Sequence, residues 1–159
     1  MPSFDFKLLN RTMMIYRIVQ ILLMVLLVYV ALQFQNQFAA LGKSRQFMTS
    51  IISAVVYQLI LLYPVYKLAW RDVGVEMEGC VLGLTPEMQK ALRKKRLIGD
   101  LWKVCAIAFF ITFVALVPDA KKAAGAPLVL ATTIFAFLLT CLTYFQCFNF
   151  SAKKRMKSP

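Results

Sequence analysis

Apolar residues along this chain fall into four long runs that are separated by more polar segments. The runs cover residues of about 13–34, 47–68, 101–117 and 127–148. About 20 consecutive apolar residues are enough for an α-helix to cross the hydrocarbon core of a bilayer. The third run is the shortest, and amphipathic residues before it extend its length. The pattern predicts an all-α, polytopic membrane protein, a bundle of four transmembrane helices that uses residues 1–159 as a single domain.

Prolines mark several of the predicted helix ends. Thr85-Pro86-Glu87 has the order of an N-cap, a first-turn proline and an early acid, so we expect a helix to begin at about Pro86. After it, Met88 and Leu92 fall on one helical stripe against the basic residues at 90 and 93–96, as in a helix at a membrane surface. This helix is placed to continue into the third span. Pro127 predicts the start of the fourth helix, and Pro118 with Asp119 predicts the end of the third. Residues 73–83 mix glycines with apolar and acidic residues, which favours a hairpin or irregular turn.

The charge distribution predicts the orientation in the membrane. The chain has 19 basic and seven acidic residues. Fifteen of the basic residues lie near the two termini, in the segment 69–100 or just beside it at Lys67 and Lys103. Only four lie on the other side, and these are Lys43, Arg45, Lys121 and Lys122. Because basic residues collect in cytoplasmic segments, both termini and the 69–100 loop are expected in the cytoplasm.

The run at 13–34 is too long for a cleavable signal peptide, and with the charge bias this favours a bacterial inner membrane. The same bias explains the net charge of +12, so no nucleic acid partner is expected.

Two groups of basic residues make a positive surface on the predicted cytoplasmic side. Such a surface attracts anionic lipid headgroups, at about 1 kcal/mol per residue near the bilayer. It could equally bind an acidic surface of another protein. The predicted lipid- or partner-binding residues are Lys90, Arg93, Lys94, Lys95, Arg96, Lys153, Lys154 and Arg155.

Inside the apolar runs, small and polar residues recur at spacings of three and four, which lets membrane helices approach closely. One such stripe in the third run is Cys105, Ala108, Thr112 and Ala115, and we expect the stripes of the four helices to face one another. An amide without a partner in hydrocarbon loses several kcal/mol, so the glutamines should point inward. The predicted inter-helix polar contacts are Gln20, Ser53, Gln58, Thr112 and Thr140.

The sequence contains few residues that could take part in catalysis, proton transfer or metal binding. It contains no histidine, its seven acids lie outside the four apolar runs, and its four cysteines form no C-x-x-C pair. Proton-coupled transport usually needs an acid or histidine within the bilayer. We therefore predict no catalytic residue, no cofactor and no metal site. An enzyme acting on lipids or thiols would have to use Cys80 with Asp72, Glu76 and Glu78, but these acids are more typical of a solvated loop.

Three functional hypotheses remain open from the sequence. The first is a non-catalytic accessory, assembly or scaffold subunit that binds another membrane component through its helix faces and its basic loop. The second is a small transporter or channel formed by oligomerisation, in which the threonines of the fourth span line an aqueous path. The enzyme is the third. The absence of catalytic and proton-binding groups favours the first, with a membrane protein or a second copy as partner.

Overall fold

Four helices make up the part of the chain that the computed structural model describes, residues 4–117, 123 and 125–157. They are α1 (Lys7–Ala40), α2 (Ser44–Glu78), α3 (Pro86–Leu116) and α4 (Ala126–Lys157). Each is long and apolar enough to cross a membrane. The predicted all-α, four-helix membrane fold is therefore confirmed. Four residues used in the predictions, Pro118, Asp119, Lys121 and Lys122, lie outside the described residues.

The helix starts that prolines indicated are confirmed. α3 begins at Pro86, and the Thr85 hydroxyl accepts a hydrogen bond from the Met88 amide at 3.3 Å. It then continues without a break to Leu116, and α4 begins one residue before Pro127. Capping and a proline at the first helical position are local features, so they can be read from a few neighbouring residues.

The predicted irregular turn at 73–83 is wrong for its first half. α2 continues to Glu78, and only residues 79–83 form turns and a bridge. Val73 is fully buried on this last part of the helix. A glycine inside a helix, such as Gly74, costs about 1 kcal/mol, which is less than the ~1.5–3 kcal/mol for burying a large apolar side chain.

Helices α1, α2 and α4 enclose two apolar cores, one at each end of the bundle. The first core contains Leu9, Met13, Ala69, Val73, Cys80, Phe148 and Ala152. The second contains Phe34, Phe38, Ala54, Ala131 and Phe135. Within the described part of the chain, neither cluster of buried residues includes one from α3. The molecule is thus a three-helix core with α3 placed at its side.

Candidate functional site

Three chain segments meet at one end of the bundle, which we call the basic end. The start of α1, the loop 79–85 and the end of α4 lie there together. Phe4 pairs with Val81 in an isolated antiparallel bridge, and the Asp5 amide donates to the Cys80 carbonyl at 2.8 Å. On α4, the Arg155 guanidinium lies 4.0 Å from the ring centroid of Trp70 on α2. The basic end therefore joins the two parts of the sequence that carry most of its positive charge.

Asp72 is the centre of a buried polar cluster at this end. Only 9% of the residue is exposed. The Tyr144 hydroxyl donates to its carboxylate at 2.6 Å, and Lys103 Nζ lies 2.9 Å from the same oxygen. Lys103 also lies 3.4 Å from the Asp100 carboxylate. A buried carboxylate is tolerated only when it is paired and hydrogen-bonded, so Asp72 ties α2 to both α3 and α4.

Two further ion pairs continue the cluster toward the loop. Arg96 Nη2 lies 2.9 Å from the Glu76 carboxylate, and Lys95 Nζ lies 2.7 Å from that of Glu78. A β-carbon at Gly79 would come within 2.6 Å of the Arg96 guanidinium, so the absence of a side chain there makes room for this pair. We call the set an ion-pair network, made of Asp72, Glu76, Glu78, Lys95, Arg96 and Lys103.

This network corrects the interpretation of the three acids as a solvated loop, because all three lie on α2 and only Glu78 among them is exposed. Asp72 and Glu76 lie one helical turn apart on α2, and they face Lys103 and Arg96 on α3. Gly99 lies between those two basic residues on the same face of α3 and is buried. The i, i+4 spacing of the two acids was a signal in the sequence that they share one face of a helix, although it does not identify their partners. It was missed because residues 73–83 were assigned to a turn.

The eight predicted basic residues divide into two groups. Lys95, Arg96 and Arg155 contact other parts of the chain, and the Lys154 ammonium lies 6.0 Å from the Trp70 ring. The side chains of the other four are exposed, and these are Lys90, Arg93, Lys94 and Lys153. A ligand or partner can therefore reach the second group without disturbing the fold.

Three of the five predicted inter-helix polar residues make hydrogen bonds between helices. The Gln58 amide donates to the Thr143 hydroxyl and accepts from Thr140 at 2.9 Å. Gln20 donates to Gln146 at 3.0 Å, and the Asn149 amide donates to Gln20 at 3.2 Å. Ser53 instead lines a cavity, and Thr112 is exposed.

The small-residue stripe of α3 lies on the outside of the molecule, contrary to the expectation that the stripes face one another. All four of its residues are exposed, and at about 3.6 residues per turn they lie on the side of the helix opposite Gly99 and Lys103, which face Asp72 on α2. The stripe continues toward the basic end through two leucines and two lysines at the same helical spacing, and these are exposed as well. We call this surface the outer face of α3, made of Lys90, Lys94, Leu97, Leu101, Cys105, Ala108, Thr112 and Ala115.

A cleft separates the opposite side of α3 from α2 and α4. It consists of two cavities of about 610 Å³ and 530 Å³ that share Ala106, Phe137 and Thr140 in their walls. The Phe110 and Phe137 rings stack at 3.8 Å between centroids and bridge α3 to α4. Bulky rings on this side hold the helix backbones apart. The cleft therefore stays open along residues 104–116, which we call the membrane half of α3.

Cys80 is poorly suited to reaction with a substrate. It is 4% exposed, and its thiol donates a hydrogen bond to the Glu76 carbonyl at 3.3 Å. Burial raises the pKa of the Cys80 thiol, and the nearby Glu76 carboxylate raises it further. Because the thiolate is the reactive form, both effects make the Cys80 thiol unreactive.

No protein family, no curated protein and no solved structure matches this chain.

Proposed function

We propose that this protein is a non-catalytic accessory subunit of a membrane complex, and that the outer face of α3 binds a transmembrane helix of another subunit. The observation that carries the proposal is the position of the small-residue stripe. Small residues at three-and-four spacing let two helix backbones approach closely in a bilayer. In α3 this stripe faces away from the other three helices that the structure describes, so another component can reach it.

The weak attachment of the membrane half of α3 supports the same role. Phe109 and Leu116 are 74% and 76% exposed, and the buried cores are built from the other three helices. A partner helix would supply the packing that α3 lacks within this chain.

The two lysines of the outer face indicate the chemistry of the partner. Lys90 and Lys94 extend the stripe beyond the apolar part of α3, at the basic end. A partner helix with small residues in the membrane and acidic residues just outside it would complement this face. By the positive-inside rule, the basic end and both termini lie in the cytoplasm. A bacterial inner membrane is the location that the charge bias favours.

The alternative of a transporter or channel receives less support. Thr133 and Thr140 open into the cleft, but four phenylalanine rings line the same cavity. A cavity with such walls suits hydrocarbon better than water, so we do not extend the proposal to an aqueous path.

The test combines native mass spectrometry with site-specific crosslinking. We expect the chain extracted in mild detergent to carry a stoichiometric foreign subunit. A photo-crosslinking residue at Thr112 should capture that subunit, whereas one at Tyr29 on the exposed side of α1 should not. The variant Ala108→Trp should lose it, because an indole on the stripe blocks close approach. Val25→Trp, on α1, is the matched control and should retain it.

A second pair of variants tests the charged part of the face. Replacing Lys90 and Lys94 with Gln should weaken retention of the partner, while the same change at Lys153 and Lys157 removes equal charge outside the face. Lys95 and Arg96 are not used, since they already pair with Glu78 and Glu76 on α2. A clean homo-oligomer would contradict the accessory role and favour a channel or transporter. A foreign subunit that survives Ala108→Trp would place the interface elsewhere.

A further inference from the structure

The cleft on the inner side of α3 has the size and the walls of a site for a hydrocarbon chain. Each of its two cavities, of about 610 Å³ and 530 Å³, lies within the ~300–1,000 Å³ range of ligand pockets. Aromatic and aliphatic side chains make up most of the lining. An empty space of this size would forfeit the dispersion contacts of its walls, so in a bilayer an apolar chain is the fitting occupant.

The cleft is at least as long as one leaflet of a bilayer is thick. Its lining extends on α3 from Trp102 to Phe113 and on α4 from Leu128 to Phe145, which is roughly 16 Å and roughly 26 Å at 1.5 Å per residue. Half of a ~30 Å hydrocarbon core is about 15 Å. The cleft begins at the basic end, so a lipid of that leaflet could place its chain between α3 and α4 and its headgroup at the basic end.

Arg71 occupies the position where such a headgroup would lie. It lines the 530 Å³ cavity and also a neighbouring pocket of about 410 Å³, whose walls include Lys95 and Gly74. The Arg71 side chain is 49% exposed, and its Nε lies 3.8 Å from the Asp72 carboxylate. A guanidinium has five N–H donors in a fork that suits a phosphate, so most of them remain for a ligand. A β-carbon at Gly99 would lie 3.2 Å from Arg71 Nη2, so glycine there leaves room for the guanidinium.

We propose that this cleft binds one anionic phospholipid, with an acyl chain between α3 and α4 and the phosphate against Arg71. Arg71, Lys95 and Lys103 border the headgroup end, against the carboxylates of Asp72 and Glu78. Lys95 and Lys103 are already paired with Glu78, Asp72 and Asp100, so it is Arg71, with only a 3.8 Å contact to Asp72, that favours an anionic headgroup over a zwitterionic one. The site lies on the opposite side of α3 from the outer face, so it is independent of the subunit role proposed above.

The test uses the purified full chain with phosphatidylglycerol or phosphatidylcholine, measured by native mass spectrometry. We expect one tightly held phosphatidylglycerol per chain, retained after the other lipids are removed, and weaker retention of phosphatidylcholine. Arg71→Gln should lower the affinity for phosphatidylglycerol by roughly tenfold, as expected for the loss of a charge-assisted pair. Arg71→Lys should restore part of it, because the charge remains while the fork is lost. Lys94→Gln, with the same charge change on the outer face, should have little effect.

Two alanines on opposite sides of α3 distinguish this site from the partner interface. Ala106→Trp fills the part of the cleft that both cavities share, and it should abolish lipid retention while leaving the foreign subunit bound. Ala108→Trp should do the reverse. If Ala106→Trp disturbs folding, the smaller Ala106→Leu together with the lipid-dependent rise in melting temperature gives the same test. Unchanged retention in the Ala106 variants, or equal retention of both lipids, would show ordinary bilayer contact only and overturn the proposal.

Discussion

The two halves of α3 are held to the rest of the molecule by different forces. In the first half, Lys95, Arg96 and Lys103 pair with acids on α2, and the two buried residues of the helix, Leu92 and Gly99, lie there. In the membrane half, the Phe110–Phe137 stack bridges an open cleft. Hydrocarbon gives helices no hydrophobic drive to associate, so a helix without close packing can be fixed by polar contacts at one end. α3 is such a helix.

The largest expected effect comes from removing the centre of the ion-pair network. Asp72→Ala leaves Lys103 with Asp100 as its partner and takes the acceptor from the Tyr144 hydroxyl. We expect a loss of about 3 kcal/mol in the free energy of unfolding, as for breaking a buried pair by deleting one partner. Thermal unfolding in mild detergent, followed by Trp fluorescence, measures it.

Asp100→Ala is the matched control, because the Asp100 side chain is 71% exposed and pairs with the same lysine. An exposed pair contributes at most about 1 kcal/mol. Equal losses in the two variants would mean that the buried carboxylate does not fix α3, and the contrast between the two halves would fail.

The membrane half should respond more weakly. Phe110→Ala removes the ring that stacks on Phe137 at 3.8 Å, and such a pair contributes about 0.5–1.5 kcal/mol beyond its burial. We expect a loss of about 1 kcal/mol, smaller than that of Asp72→Ala, measured by the same unfolding experiment. Phe109→Ala is the control. Its ring is 74% exposed and should matter little. A loss at Phe110 that exceeds the one at Asp72 would reverse the order of the two halves.

The sequence predicted the elements of α3 but not its rotation about its own axis. The apolar run and the Thr85-Pro86 cap depend on neighbouring residues, so both were predictable. A stripe of small residues such as Ala108 and Thr112 indicates that another helix can approach α3 closely, but it does not indicate which helix. In a continuous helix, the side that carries Arg96, Gly99 and Lys103 also carries Phe110, seven residues further on. Once the ion pairs fix that side against α2 and α4, the stripe must face outward.

The candidate site was predictable to a similar degree. The exposure of the lysines follows from their charge, and the inward position of Gln58 follows from the cost of an unpaired amide in hydrocarbon. That its partners lie on α4 does not follow from either. The role of Asp72 was missed because its partners lie 31 and 72 residues away in the sequence, on other helices. Pairing over such distances depends on which helix faces are in contact, and one sequence alone does not supply this.

The smallest effect concerns reactivity rather than stability, and it tests whether the first half of α3 can be released without opening the three-helix core. Cys80 belongs to the core that α1, α2 and α4 form at the basic end, together with Leu9 and Phe148. Because burial raises the pKa of its thiol, maleimide at neutral pH should label Cys80 in the folded chain at least about tenfold more slowly than after unfolding in detergent, where an ordinary thiol pKa near 8.5 returns. Peptide mass spectrometry measures both rates. The folded rate should keep rising with pH beyond that ordinary value, where the rate of the unfolded chain levels off. In the Asp72→Ala variant, Cys80 should stay slow if α3 alone is released, since the core around the thiol contains no residue of that helix among those described. Fast labelling in that variant would mean that the ion-pair network also holds the three-helix core closed.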